Sequence, residues 1–154
     1  MFINENAAYS INDLMPLISA SLDAGQKVRM KVSGISMTPI LHDVRDTVVM
    51  EKPQKIKKYD IVLHKRANGQ YILHRVVAKK GNVLTIAGDF ETEKEYPVYE
   101  DQVIAVVTSF CRNGKNYRVT DFIIQLYSRV WVLIFPQRQN VLYLINVIRR
   151  KLHV

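Results

Sequence analysis

Hydrophobic residues recur with one period up to about Phe110 and with another after Thr120, and that single change limits the architectures open to the chain. From Gln26 to Val32, the apolar Val28, Met30 and Val32 alternate with Lys27, Arg29 and Lys31, the pattern of a half-buried strand. Further β-type runs span Thr47 to Glu51, Asp60 to Lys65, Tyr71 to Ala78, Val83 to Ile86 and Gln102 to Phe110. Asn68-Gly69 and Gly81-Asn82 fall between successive runs, so both read as hairpin turns. These features predict a mainly antiparallel β domain. After Thr120 the spacing becomes helical: Asp121, Gln125, Ser128 and Arg129 share one face, and Phe122, Ile123, Leu126, Val130, Trp131, Leu133 and Ile134 fill the rest. Pro136 ends that helix. A second runs from Val141 to Leu152 on Leu142, Ile145, Ile148 and Leu152, with Arg149, Arg150 and Lys151 in the last turn, where cations suit the helix dipole. Ahead of the sheet, Asn12 or Asp13 would cap a short helix reaching Ala24, with Pro16 in its first turn and Gly25 as its stop. The expected organisation is an N-terminal helical segment over residues 1–25, a β domain over 26–118 and an amphipathic helical hairpin over 119–154.

A chain of 154 residues suffices for one core with appendages. Its formal charge of +8 is unevenly placed: residues 1–110 hold 14 Lys and Arg against 13 acids, whereas residues 111–154 hold 8 against Asp121 alone, a net +7. A basic end that is also aliphatic and aromatic suits an anionic membrane surface better than nucleic acid, which is not an expected partner. Two readings of the hairpin stay open. It lies in the membrane interface with Trp131, Phe135 and Tyr143 at headgroup level, or it packs its apolar faces on the β domain. A single cysteine, Cys111, excludes an intrachain disulfide, and no Cys/His spacing of metal-binding type occurs, so no metal or cofactor is expected. The N-terminus lacks the basic-then-apolar pattern of a signal peptide, and the longest apolar run, Val130 to Phe135, is far below the ~18 residues of a spanning helix. The expected location is therefore cytoplasmic or peripheral to a membrane.

Three stretches carry candidate chemistry. Ser33-Gly34-Ile35-Ser36-Met37-Thr38-Pro39 places a hydroxyl on a small-residue loop after the first strand, where Met37 can pack the loop down and Pro39 stiffens its exit. A serine is a weak nucleophile at neutral pH and needs a base, and the base needs an orienting partner. Leu73-His74-Arg75-Val76-Val77 offers the base; Ile86-Ala87-Gly88-Asp89 offers the partner. Taken singly, each has an ordinary reading: a turn serine, a core histidine, a Gly-Asp turn.

Together, and in this order, the three stretches resemble the signal peptidase I-like serine peptidases. Ser36-Met37-Thr38-Pro39 is similar to that family's Ser-x-Ser-Met-x-Pro, and Ser33-Gly34-Ile35-Ser36-Met37 to the Ser-Gly-x-Ser-Met of the related LexA-like peptidases. The resemblance runs from about Val28 to Val107 and stops short of the hairpin. His74-Arg75-Val76 is similar to the endoplasmic-reticulum, archaeal and sporulation-type members, which use histidine where other branches use lysine. It implies a signal peptidase/LexA-like antiparallel β catalytic domain. It also implies Ser36 as nucleophile, His74 as general base and Asp89 as the orienting acid, with Glu95, six positions on, able to share or replace that role. The chain departs from the pattern at Gly34, where the family has a serine that assists the oxyanion hole, so backbone N–H groups would have to serve. It departs again at Tyr59, which precedes Asp60 where the family more often has glycine, and in lacking an N-terminal anchor. The implied substrate is a leader or signal-like peptide, bound as an extended strand, with small side chains before the cut. The competing expectation is a catalytically degenerate form of the same fold that binds peptides without turnover. A self-cleaving repressor fits less well, because the N-terminal segment is too short for a helix-turn-helix unit.

Overall fold

The structure, a computed structural model, describes residues 10–152. The N-terminal stretch read for a signal peptide and the side chains of Arg149, Arg150 and Lys151 lie outside the described part. Helix α1 covers Ile11–Asp23. It starts earlier than the sequence suggests, because Ser10 is the cap: the Asp13 N–H donates to Ser10 Oγ, and Asp13 Oδ2 accepts from the Ser10 N–H. Pro16 thus falls inside the helix, one turn beyond its expected place.

Eight strands follow: β1 (Val28–Lys31), β2 (Thr47–Glu51), β3 (Ile61–Lys65), β4 (Tyr71–Lys80), β5 (Val83–Ala87), β6 (Glu95–Tyr99), β7 (Val103–Arg112) and β8 (Lys115–Arg118). All pairings are antiparallel, in the order β1-β2-β7-β3-β4-β5-β6, with β8 added to β7. The mainly antiparallel β architecture expected from the alternation is present. Strands β6 and β8 were not expected. β8 is polar, β6 carries Pro97 and a single core residue, Val98, and β6 ends the sheet order, a place where a missing ladder donor is tolerated. Helix α2 (Phe122–Leu133) and helix α3 (Arg138–Leu152) form the hairpin, and α3 begins directly after the turn at Pro136.

The core has two parts. Met15, Ile18 and Leu22 of α1 pack with Val28, Val48, Met50, Leu63 and Phe110 on one side of the sheet, and Ile124 of α2 joins them. Val62, Val76, Leu84, Ile86 and Val98 form the second part with Ile56 and Val103. Strand β4 runs between β3 and β5, with Val62 opposite His74 and Ala87 opposite Arg75. Four consecutive residues, His74 to Val77, are buried, which breaks the alternation because both faces of β4 are covered at that point. His74 and Arg75 consequently point into different environments.

The hairpin packs on the β domain through Ile124, Ser128 and Trp131, so the packing alternative holds for that face. Among the described residues, no helix is long and apolar enough to cross a membrane.

Candidate active site

The Ser36 loop is fixed from both sides. Met37 and Leu41 are buried beneath it, the Leu41 N–H donates to Met37 O, and the Gly34 N–H donates to Asp43 Oδ1 at 2.9 Å. Gly34 has φ +87° with open space where a Cβ would stand, so glycine serves a left-handed turn there rather than a close approach. The close approach occurs at Gly88. A Cβ on Gly88 would stand 2.6 Å from the Ser36 carbonyl oxygen, and the Phe90 N–H donates to that oxygen at 2.8 Å. The Gly-Asp stretch and the serine loop are therefore in direct backbone contact, with Ser36 itself half-buried.

His74 is 1 % exposed and lies between two carboxylates. Its Nδ1 is 3.0 Å from Glu95 Oε1, in a contact off the line of a hydrogen bond, and its Nε2 is 3.4 Å from Glu91 Oε1. Glu95 is held in turn by Arg66, whose Nε donates to Oε2 at 2.8 Å and whose Nη2 donates to Oε1. Burial raises the Glu95 pKa, but the Arg66 hydrogen bonds and the nearby imidazoles outweigh it and leave the carboxyl below its ordinary value. Glu91 is lowered chiefly by its contact with His74, against the opposing effect of burial.

Sequence reasoning missed three members of this group: His64, Arg66 and Glu91. His64 on β3 has its ring 6.0 Å from that of His74 and its Nε2 3.7 Å from Glu95 Oε2, yet neither of its nitrogens makes a hydrogen bond among the described residues. Burial pushes its pKa down to about 4, against the pull of Glu95, so the ring is neutral at physiological pH. The run Ile61-Val62-Leu63-His64 was the available signal, since a short apolar run of this kind reads as a strand buried on both faces and carries His64 into the interior beside the candidate base.

Asp89 is placed differently from its expected role. Its carboxylate accepts from Arg75 Nε at Oδ1 and from Arg75 Nη2 at Oδ2, both at 2.8 Å, and from Tyr127 Oη at 3.1 Å. Its carbonyl accepts from Trp131 Nε1 at 2.9 Å. Arg75 also donates through Nη1 to Tyr59 O and to Ser128 Oγ. Arg138 closes the arrangement by donating to the carbonyls of Gly88, Glu91 and Trp131. Asp89 is thus a buried clamp between β4, the Gly-Asp turn and α2, and the carboxylate facing His74 Nδ1 is that of Glu95. The cause is strand geometry: Asp89 meets Arg75, the neighbour of His74, on the far side of β4. Burial and the Asp89 interaction raise the Tyr127 hydroxyl far above the ordinary tyrosine range.

His74, Glu91 and Glu95 each offer one ligand atom, all within 4.8 Å of one another, which is a sufficient set for a divalent cation. The two carboxylates, however, meet different ring nitrogens, and Arg66 already occupies both Glu95 oxygens. The set fits the orientation of an imidazole better than the holding of an ion.

Beside Ser36 opens a cleft of about 490 Å³ lined mainly by apolar groups: Ile11 and Leu14 of α1, Met30 of β1, and Tyr71 and Leu73 of β4. β1 is an end strand of the sheet order and forms one wall of this cleft. Comparison with protein-family models, curated proteins and solved structures returned no match.

Proposed function

We propose that this protein is a serine endopeptidase of the signal peptidase-like type, acting on an extended leader or signal-like peptide. The observation that carries the reading is the buried imidazole of His74 with Glu95 Oε1 3.0 Å from its Nδ1, and Glu95 itself held by Arg66. A histidine base needs an acid at that nitrogen: once the Nδ1–H lines up on Oε1, Glu95 would set the tautomer and stabilise the imidazolium formed when the proton arrives. Ser36 attacks the scissile carbonyl, His74 Nε2 takes the hydroxyl proton and returns it to the leaving amine, and Glu95 orients the ring. Asp89 acts at one remove, keeping the Gly-Asp turn against the serine loop.

Two further features support the reading. Tyr59 has φ +82°, a backbone conformation that favours the glycine found more often at that place in the resembling family. The cleft beside Ser36 supplies an end strand for β-addition of a peptide. Its apolar walls suit a bulky aliphatic or aromatic substrate side chain, in addition to the small residues that the resemblance implies before the cut.

One observation favours the degenerate, peptide-binding alternative: Nε2 of His74 faces Glu91 rather than Ser36 Oγ. Turnover requires Glu91 to swing aside as substrate enters. Mass-spectrometric mapping of cuts in a library of leader-like and signal-like peptides separates the two readings. Cleavage by the wild type that vanishes in Ser36→Ala and His74→Ala establishes the peptidase. A folded wild type that binds library members but cuts none of them establishes the binding module.

A further inference from the structure

The outward face of the hairpin is unusual for a protein surface. Phe122, Leu126, Val130 and Leu133 follow one another at helical spacing along α2, with Ile123 beside them, and all are exposed; Phe122 is 81 % and Leu133 79 % exposed. On α3, Tyr143 (72 %), Leu144 and Ile148 are exposed as well. The opposite side of α2 is consumed by the Ser128 and Trp131 contacts, so this stripe is surplus to the core. A contiguous apolar patch of this kind marks a surface that meets another apolar phase.

The charge around the stripe indicates which phase. Arg129 is exposed on α2 and stands 5.8 Å from the Tyr59 ring, with Lys58 5.1 Å from the same ring. Lys94 stands 4.5 Å from the Phe135 ring at the hairpin turn. These cations border a hairpin whose own net charge is +4 over residues 119–154, five Lys and Arg against Asp121. A second copy of the chain would bring two such segments together, like charge against like, whereas an anionic headgroup layer complements them. We infer that the α2–α3 hairpin is a monotopic membrane-docking element that lays Phe122, Leu126, Leu133 and Leu144 into an anionic lipid interface while its inner face holds the β domain. Because Trp131 and Arg138 bond to the backbone of Gly88, Asp89 and Glu91, docking would fix the His74 site at a set height over the bilayer. The inference stands independently of the peptidase reading.

The test is flotation of the full chain with vesicles of equal parts phosphatidylcholine and phosphatidylglycerol, and with vesicles of phosphatidylcholine alone. Leu126→Glu/Leu133→Glu is compared with the wild type, and matched far-ultraviolet circular dichroism and urea midpoints show that both fold. The docking face predicts co-flotation with the anionic vesicles, weaker at high salt, and at least about tenfold weaker partitioning for the double variant. Absence of wild-type binding to the anionic vesicles would overturn the inference. So would equal binding by the folded double variant, or a wild-type dimer in sedimentation velocity that the double substitution dissociates without any vesicle binding.

Discussion

Replacing Asp89 by asparagine separates the structural clamp from the proposed catalytic pair, His74 and Glu95. Arg75 and Asp89 are 1 % and 0 % exposed, and two parallel 2.8 Å hydrogen bonds join them. Removing one partner of a buried ion pair typically costs about 3–5 kcal/mol, because the surviving charge keeps its desolvation penalty without compensation. In Asp89→Asn the guanidinium still donates to Tyr59 O and Ser128 Oγ, and the amide oxygen can accept one of the two lost bonds, which points to the low end, about 3 kcal/mol. Arg75→Met removes the opposite charge, and the double variant should recover about 2 kcal/mol of the summed losses. Urea unfolding followed by circular dichroism gives all four corners of the cycle, provided the slopes agree. Peptide cleavage by Asp89→Asn, measured well below its unfolding midpoint, should stay within about tenfold of wild type, because Glu95 still orients His74. The reasoning is refuted if Asp89→Asn is as stable as wild type within about 0.5 kcal/mol while its cleavage rate falls about 10⁴-fold, the signature of an orienting acid.

Glu95→Gln should give the converse result, a rate loss of roughly 10²–10⁴ in kcat with a smaller shift in urea midpoint, because the amide leaves the imidazolium without its counter-charge. In Gly88→Ala the new methyl meets the Ser36 carbonyl oxygen at 2.6 Å, so the serine loop and the Gly-Asp turn must part. A destabilisation of about 1–3 kcal/mol is expected, together with reduced cleavage, and a neutral Gly88→Ala would contradict the contact. His64 has a folded pKa of about 4 against an ordinary 6.5. The native state therefore binds fewer protons than the unfolded chain between those values, and the contribution present above pH 6.5 is lost as the pH falls towards 4, by up to about 3 kcal/mol. Urea midpoints collected across that range should fall in the wild type and flatten in His64→Leu. Glu91 and Glu95, both lowered, add a further loss in the same direction below about pH 4.5.

Strands β1 to β5 and β7 were legible in the sequence to within about two residues, β1, β2, β5 and β7 through alternation and β3 and β4 through apolar stretches buried on both faces. β6 and β8 were not, because β8 is polar and β6 carries Pro97 and only one core residue, Val98, so both draw most of their order from the ladder. The site divides in the same way. Ser36, His74 and the Gly-Asp turn were visible as local strings, and the contact of Gly88 with the Ser36 carbonyl places two of those strings together. Which acid meets His74 was not visible, because it depends on which face of β4 each carboxylate reaches. The resemblance points to Asp89 first and to Glu95 as the alternative, whereas packing sets Asp89 against Arg75 and Glu95 against His74. The role of Arg66 was hidden by distance, 29 residues from Glu95. The hairpin illustrates the limit of periodicity: a polar face with Ser128 and an apolar remainder were apparent on α2, yet Ser128 is buried and part of the apolar remainder is open.

The most direct measurement is covalent trapping. A peptide boronate carrying the residues preferred in the library cuts is incubated with the protein, and the adduct is located by mass spectrometry, in the wild type, Ser36→Ala and His74→Ala. A boronate ester on Ser36 that is absent in Ser36→Ala and strongly diminished in His74→Ala is the predicted result. No adduct in a folded wild type, or one that forms equally without His74, would contradict a serine nucleophile activated by the His74–Glu95 pair.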